Sequence, residues 1–269
     1  MVPVAIAQFA PTADKQGNLR VIAELAATAA ADGAQVLAFP EYSMFTVPTM
    51  TDEFVTTAEP MDGEFVSSLG ELARQGGLHI VAGINEAIPG EARIHNTLIA
   101  LGPDGRLAAK YRKLHLYDAF GYRESDRVAP GEIESPETFT VDGVTFGLQT
   151  CYDLRFPEVT RRIVDAGADV VVLPAEWVPG PLKEDHWTTL VRARAIENTI
   201  YVVVADQSAP AGSGVSMIVD PMGLVLASLG ETTGTAVAKV SPARIAEVRA
   251  KNPALKLRRF EVAEAAVRV

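Results

Sequence analysis

The only cysteine of the 269-residue chain, Cys151, stands where a predicted strand gives way to a loop and a helix. The alternation in V-T-F-G-L-Q just before it indicates the strand, and Pro157 with Glu158 is typical of a first helical turn. Open α/β sheets bind their ligands at this carboxyl edge. A lone cysteine is often a small buried hydrophobe. Its polar neighbours Gln149 and Asp153 nevertheless make it a candidate nucleophile.

A thiol with an ordinary pKa of about 8.5 needs a base and a cation before it attacks at neutral pH. Glu41 follows the apolar residues 36–39 with only Pro40 between, an unusual place for a carboxylate, and would supply the base. Lys113 follows a predicted strand at 106–112 and would supply a positive charge that favours the thiolate and then an oxyanion. By itself, a lysine in this position is typically on the surface. Position alone makes Cys151 a plausible nucleophile and Glu41 a plausible base, but it does not single out Lys113.

The elements that would position these residues alternate between strands and helices. A βαβ unit opens the chain and a hairpin follows. The second half repeats the first, since G-A-Q-V at 33–36 is echoed by G-A-D-V at 167–170, and the turn 103–105 by 221–223. We therefore predict a four-layer α-β-β-α sandwich, a single α/β domain over residues 1–269, with Glu41 and Cys151 in one cleft. Strands are predicted at 2–8, 35–39, 79–85, 96–101, 106–112, 144–148, 170–173 and 200–206, and helices at 18–32 (capped by Asn18), about 64–76 and 183–198.

Composition and charge exclude several classes of protein. Hydrophobic residues make up 48% of the chain, enough for a sizeable core, and 24 Lys and Arg against 34 Asp and Glu give a formal net charge of −10. A nucleic acid or anionic membrane partner would require a basic surface. One cysteine allows no internal disulfide, which is typical of a reducing compartment, and no leader pattern or membrane-length apolar run is found. We expect a soluble, cytoplasmic protein.

Other catalytic classes find little support in the motifs. The four histidines, at positions 79, 95, 115 and 186, lack H-x-x-H or H-E-x-x-H spacing, so we expect no metal site. Without a G-x-G-x-x-G, P-loop or G-x-S-x-G motif, we expect no cofactor and no serine-hydrolase chemistry. A Cys–His hydrolase using His115 or His186 is an alternative.

Several blocks, in order, resemble the nitrilase (carbon–nitrogen hydrolase) superfamily along nearly the whole chain. F-P-E ending at Glu41, Y-R-K-L-H-L around Lys113 and C-Y-D-L-R-F-P-E from Cys151 are similar to the three catalytic blocks of that family. The supporting blocks are R-E-S and A-P-G within 123–131, P-A-E-W at 174–177, and H-W-x-x-L-x-x-A-R-A-I-E-N at 186–198. The fold that this resemblance implies is the same four-layer sandwich.

The resemblance also implies a role for each site residue. Cys151 would attack an amide carbonyl, while Lys113 and the backbone N–H of Tyr152 would hold the tetrahedral oxygen. Glu41 would protonate the departing ammonia and then activate water to hydrolyse the thioester. Glu124 matches the second glutamate of the family, which orients the lysine and the substrate, with a surface position as the alternative. The candidate substrate-binding residues are Tyr42, Tyr152, Arg155 and Trp177.

Substrate and assembly follow from the branch that the blocks resemble. The ω-amidase and deaminated-glutathione amidase branches favour a small amide with a carboxylate at its far end, which Arg155 would bind; Arg155 could instead pair with Asp153, and Trp177 could be a core residue. Residues 178–185 and 207–209 depart from these branches where specificity would be set. A nitrilase or N-carbamoyl hydrolase on the same triad, or a non-catalytic binding protein, are alternatives. Family members form dimers, so we expect a homo-oligomer, with the tail at about 250–269 docking on a partner subunit.

Overall fold

The computed structural model describes residues 1–264, and each predicted strand and helix is present within a few residues of its expected ends. The strands are β1 Val2–Gln8, β2 Val36–Ala38, β3 His79–Ala87, β4 Ile94–Leu101, β5 Leu107–Arg112, β6 Thr138–Val141, β7 Val144–Leu148, β8 Val170–Ala175, β9 Tyr201–Asp206, β10 Met217–Val219, β11 Val225–Ser228 and β12 Gly234–Val240. The helices are α1 Lys15–Ala31, α2 Glu53–Thr56, α3 Glu64–Gly76, α4 Pro157–Asp165, α5 Lys183–Asn198 and α6 Pro242–Lys251, with 3₁₀ helices at Glu124–Asp126, Cys151–Arg155 and Ala254–Leu257.

The two sheets share one layout, which confirms the predicted repeat. Their strand orders are β12-β1-β2-β3-β4-β5 and β11-β10-β9-β8-β7-β6. Each has three parallel strands, β1 to β3 and β7 to β9, followed by two antiparallel strands. A further antiparallel strand covers the other side of the parallel set, β12 beside β1 and β6 beside β7.

The layers follow from the alternation of side chains along each strand. In β2, Val36 and Ala38 face the second sheet, whereas Leu37 faces the helices. Apolar side chains of both sheets fill the space between them. Helices α1 and α3 cover the outside of the first sheet, and α4 and α5 cover the second. The predicted α-β-β-α sandwich is confirmed, and each fully buried aliphatic or aromatic side chain stabilises it by roughly 1.5–3 kcal/mol.

The predicted cap of the first helix is wrong. The helix starts earlier, because Oδ1 of Asp14 accepts a 2.9 Å hydrogen bond from the N–H of Gly17. Asn18 lies inside α1 and is buried, and its Nδ2 donates to the backbone oxygens of Thr12 and Met44. A buried amide that satisfies two loop carbonyls fixes the segment that follows β2, where Glu41 lies.

The C-terminal segment runs back over the outer helices. Arg258 forms a 2.7 Å ion pair with Asp165 of α4, while Leu257 and Phe260 are 70% and 89% exposed. Docking of residues 250–269 on a partner subunit stays a prediction, and residues 265–269 lie outside the described part of the chain. Within residues 1–264, no helix is both long enough and apolar enough to cross a membrane.

Candidate active site

Cys151 is the first residue of a 3₁₀ helix that begins shortly after β7. Its φ of 40° lies in the left-handed region, which costs a residue other than glycine roughly 1–3 kcal/mol and persists where surrounding structure imposes it. The side chain is 6% exposed, and its Sγ lies 3.6 Å from the carbonyl oxygen of Glu176. The strained turn places the thiol at the carboxyl end of the parallel strands.

The thiol of Cys151 is protonated at rest. Burial raises its pKa well above the ordinary value, and the negative charge of Glu41 raises it further. The positive charge of Lys113 lowers this pKa but is outweighed. Lys113 thus acts on the thiol in the expected direction, but because burial and Glu41 oppose it, a base must take the proton when the sulfur attacks.

Glu41 lies just after β2 and is 1% exposed. Its Oε1 accepts hydrogen bonds from Nζ of Lys113 at 2.9 Å and from Nδ2 of Asn96 at 2.6 Å. Its Oε2 accepts from the backbone N–H of Glu176 at 2.7 Å. Three donors, one within β4 and two just after the ends of β5 and β8, therefore hold this carboxylate in one orientation.

A glycine in β3 makes room for Glu41. A Cβ at Gly83 would lie 2.7 Å from Cα of Glu41 and 2.6 Å from the backbone nitrogen of Tyr42. Tyr42 itself has a φ of 53°. Only a residue without a side chain lets the tight turn after β2 rest on the neighbouring strand.

Lys113 is buried between two carboxylates. Its Nζ lies 2.9 Å from Oε1 of Glu41 and 2.9 Å from Oε2 of Glu124. Burial lowers the pKa of Lys113, but the negative charges of Glu124 and Glu41 raise it more, so that it lies well above its usual value. It is a permanent cation in the site.

Glu124 is also buried, not on the surface, at the start of its 3₁₀ helix. Its Oε2 accepts from the backbone N–H of Tyr117 at 2.6 Å, and its Oε1 accepts from the hydroxyl of Tyr42 at 2.8 Å. Burial alone would raise the pKa of Glu124, but the charge of Lys113 and the hydrogen bonds from Tyr117, Lys113 and Asn96 lower it. Glu124 therefore stays ionised and, together with Glu41, fixes Lys113.

Asn96 was missed in the sequence as a site residue. Its Nδ2 donates to Oε1 of Glu41 at 2.6 Å and to Oε1 of Glu124 at 3.1 Å. The signal was an amide inside the apolar strand β4, where a buried polar group needs a partner.

One cleft of about 530 Å³, its open mouth included, brings the predicted residues together. Glu41, Lys113, Glu124 and Cys151 lie in its wall, as do the four candidates for substrate binding, Tyr42, Tyr152, Arg155 and Trp177. The wall also includes residues that the sequence analysis did not assign to the site: Val47, Met50, Phe54, Tyr117, Tyr122, Glu176, Val178 and Lys183.

Arg155 faces the cleft and does not pair with Asp153. Its guanidinium carbon lies 4.8 Å from the ring centre of Trp177. The Oδ2 of Asp153 accepts from the hydroxyl of Tyr111 at 2.7 Å, and its Oδ1 lies 2.7 Å from Nδ1 of His115. The structural pairing considered for Arg155 is thus absent, and Trp177 is both buried and part of the wall.

Glu176 is a second carboxyl group beside Glu41. Burial and the charge of Glu41 raise the pKa of Glu176 to about 8. Nε2 of Gln207 lies 3.4 Å from Oε2 of Glu176 and donates to the backbone oxygen of Glu41 at 2.9 Å. The segment at 207–209 that departs from the expected pattern therefore supports the base.

Among residues 1–264, no histidine lies in the wall of the cleft, and the candidates His115 and His186 are therefore outside it. His115 stacks on Phe156 with ring centres 3.7 Å apart. Over residues 1–264, no group of three or more His, Cys, Asp or Glu side chains is placed to hold a metal ion.

Comparison with known proteins identifies the family. The sequence model of the carbon-nitrogen hydrolase family matches residues 3–250. Deaminated glutathione amidase of Escherichia coli O157:H7 is 40% identical over 258 residues, covering 96% of this chain and 97% of that protein. Omega-amidase NIT2 of Mus musculus is 32% identical over 273 residues, covering 96% and 95%. A solved mutant of the amidase from Nesterenkonia sp. AN1, with acrylamide added at the active-site cysteine, has a TM-score of 0.77 at 28% identity, covering 96% of this chain and 100% of that one. The chain belongs to the carbon–nitrogen hydrolase family of the nitrilase superfamily and is an amidase-type hydrolase.

Proposed function

We propose that the protein hydrolyses a small ω-amide through a cysteine thioester, using Glu41, Lys113 and Cys151. The observation that carries this proposal is the buried hydrogen-bonded set of Glu41, Lys113 and Glu124 in the same cleft wall as the only cysteine. It unites a nucleophile, a base and a permanent cation, the groups that covalent catalysis on an amide requires. The adduct at the active-site cysteine of the related amidase supports the same role for Cys151.

In the first half-reaction, Sγ of Cys151 attacks the amide carbon while Glu41 takes the thiol proton. The carbonyl oxygen becomes an oxyanion held by Nζ of Lys113 and the backbone N–H of Tyr152. Glu41 then gives the proton to the amide nitrogen, the C–N bond breaks and ammonia leaves. Because its raised pKa keeps the thiol protonated, the proton must move to Glu41 as the sulfur attacks the amide carbon. This supports Glu41 as the base in the first step.

In the second half-reaction, Glu41 takes a proton from a water molecule that attacks the thioester. The C–S bond breaks, Glu41 returns its proton to the sulfur, and the product leaves as a carboxylic acid that gives its remaining proton to the solvent. Glu124 and Asn96 position Lys113 and Glu41 in both half-reactions. Each carboxylate keeps its orientation because its donors are buried with it.

For the substrate, we infer a carboxylate at the end distant from the amide. Arg155 supports this inference, because its guanidinium faces the cleft and forms no ion pair in residues 1–264. Lys113 is committed to two glutamates, so a distal carboxylate needs another cation, and a planar guanidinium suits it. The relatives named deaminated glutathione amidase and omega-amidase point to the same class of amide.

The test compares a dicarboxylic acid monoamide with a chain-matched neutral amide by ammonia release. We expect a higher kcat/KM for the acid, and Arg155→Met should reduce that preference by about 10–150-fold, the equivalent of about 1.5–3 kcal/mol for a hydrogen bond to a charged group. Arg20→Met, an exposed arginine on α1, is the matched control. Equal rates on both amides, or a faster reaction with the matching nitrile, would refute the substrate class.

We also propose a homodimer, as the resemblance implied. The exposed side chains of Leu257 and Phe260 support an interface near the C-terminal segment. Light scattering should give twice the mass of the chain, and Phe260→Asp should shift the protein towards the monomer. A monomeric wild-type protein at micromolar concentration would contradict the proposal.

A further inference from the structure

Lys183, the first residue of α5, is a second cation in the cleft wall. Only 7% of the residue is exposed. Its Nζ donates a 2.7 Å hydrogen bond to the hydroxyl of Tyr117 and lies 4.9 Å from the centre of the same ring. A buried lysine held by a tyrosine has lost most of its hydration, so an anion in the cleft would interact with it strongly.

Lys183 and Arg155 lie near each other without a carboxylate between them. The exposed ring of Phe120 lies beside both, 5.3 Å from Nζ of Lys183 and 5.8 Å from the guanidinium carbon of Arg155. Burial lowers the pKa of Lys183, and the charge of Arg155 lowers it further. Within residues 1–264, neither side chain has an acidic group within ion-pair distance. Two like charges facing one cavity, Lys183 buried and Arg155 half-buried, are unfavourable unless an anion joins them.

The charges of the cleft leave room for one anion. Two carboxylates, Glu41 and Glu124, and one ammonium group, Lys113, together carry a net charge of −1. Arg155 and Lys183 add two positive charges. Glu176 is mostly neutral below its pKa of about 8. The empty cleft therefore has a net charge of about +1 at neutral pH, which a substrate with a single carboxylate balances and a neutral amide does not.

We propose that Lys183 and Arg155 share the distal carboxylate of the substrate, one on each oxygen, and that Lys183 is a specificity-determining residue. This inference rests on the proposed ω-amide substrate. The arrangement selects amides whose carboxylate reaches from Cys151 to the mouth of the cleft beside Phe120. Tyr117 ties this site to the catalytic groups, because its hydroxyl holds Lys183 and its backbone N–H holds Glu124.

The competing role for Lys183 is purely structural. Its backbone oxygen accepts a 2.7 Å hydrogen bond from Nε1 of Trp177, which fixes the start of α5. Lys183→Met retains this backbone bond and the length of the side chain but removes the charge, whereas Lys183→Arg retains the charge. Lys239→Met, an exposed lysine on β12, is the matched control for loss of a positive charge.

The experiment measures kcat and KM for a dicarboxylic acid monoamide and for its chain-matched neutral amide. We expect Lys183→Met to raise KM for the acid by about 10-fold or more, the scale of a charged hydrogen bond, with little change on the neutral amide. Lys183→Arg should recover most of this loss. The double variant Arg155→Met with Lys183→Met should raise KM for the acid by less than the product of the two separate fold-changes, because both side chains bind the same carboxylate.

Each other outcome has a distinct meaning. An equal loss on both amides in Lys183→Met would assign it a structural role, and an unchanged preference would remove it from the anion site; either overturns the inference while the ω-amide proposal stands. A wild-type enzyme without preference for the acid would overturn both. Lys183→Gln, which keeps a donor for Tyr117, repeats the comparison if Lys183→Met does not fold.

Discussion

The backbone N–H of Glu176 donates a 2.7 Å hydrogen bond to Oε2 of Glu41. Glu41 follows β2 of the first sheet and Glu176 follows β8 of the second, so this bond joins the two halves of the sandwich at the catalytic base. The carbonyl of the same residue, Glu176, lies 3.6 Å from Sγ of Cys151. One peptide segment therefore orients both the base and the nucleophile.

Replacing Cys151 by Ala should leave a folded protein with ammonia release reduced by at least about 1,000-fold, because the nucleophile is lost. The change removes one sulfur atom at a turn in the cleft wall and should cost little stability. Steady-state assays with circular dichroism spectra check both statements. Appreciable turnover by a pure, folded variant would exclude the thioester route.

Alkylation of Cys151 by iodoacetamide should be slow at pH 7 and should still accelerate above about pH 9, because burial and Glu41 raise the pKa of the thiol. The rate constant as a function of pH, with the labelled site located by mass spectrometry, measures this. A free-cysteine peptide is the reference. If the alkylation rate constant already reaches its plateau below pH 7, the charge of Lys113 outweighs burial and Glu41, and the resting enzyme holds a thiolate.

Asn96→Leu should lower kcat/KM by about 10–150-fold, since Glu41 and Glu124 lose a shared donor, worth about 1.5–3 kcal/mol. Thr97→Val is the matched control, because Thr97 also donates to a buried carboxylate, Oε2 of Glu86 at 2.7 Å. Neither Thr97 nor Glu86 lines the cleft. We expect that control to lose stability without loss of kcat. Similar kinetics in both variants would show that Asn96 serves only the fold.

Glu176→Gln should stabilise the protein increasingly as pH rises. In the folded protein the pKa of Glu176 is about 8 and its ordinary value is 4.5, so the folded state retains a proton that the unfolded state releases between these values. Wild-type stability therefore falls across this window. Relative to pH 5, the variant should gain about 2–4 kcal/mol at pH 8, given 1.36 kcal/mol per pKa unit and partial exposure to the cleft. Urea unfolding at both pH values tests this, and a constant difference would contradict it.

Gly83→Ala should reduce kcat by about 10–100-fold, because its Cβ would collide with the backbone at Glu41 and Tyr42 and small displacements of reacting groups are costly. Gly102→Ala, whose Cβ would approach only the end of the Asp104 side chain at 3.0 Å, is the control. Assays and thermal unfolding of both variants make the comparison. If Gly83→Ala has the same kcat as the wild type, the turn that carries Glu41 can move without loss of catalysis.

Local patterns in the sequence were sufficient to predict most of the fold. The alternation before Cys151 and the apolar run before Glu41 each produced a strand that ends at the site. The boundaries of α5, Lys183–Asn198, agree with the prediction, since a turn-rich segment and a β-branched strand flank it. The echo between residues 33–36 and 167–170 predicted two equivalent sheets, which the strand orders match.

Contacts between distant residues could not be predicted in the same way. Asn96 becomes a partner of Glu41 only when β4 joins the first sheet, and Glu176 and Gln207 do so only when the second sheet packs against the first. The pKa of Cys151 depends on a balance of burial and two opposite charges, which no sequence spacing specifies. Asn18 has the residue type of a cap, but tertiary contacts with Thr12 and Met44 place it inside the helix.

The pairing of β12 with β1 has a consequence for synthesis on the ribosome. Val2 pairs with Val240, so the first strand to emerge waits for one of the last before its outer edge is covered. At translation rates of 5–20 residues per second the delay is roughly 10–50 s. During that time the edge of β1 offers free backbone groups to other chains. Ribosome-bound chains that end before residue 234 should therefore associate with chaperones, or with one another, more than chains that include β12.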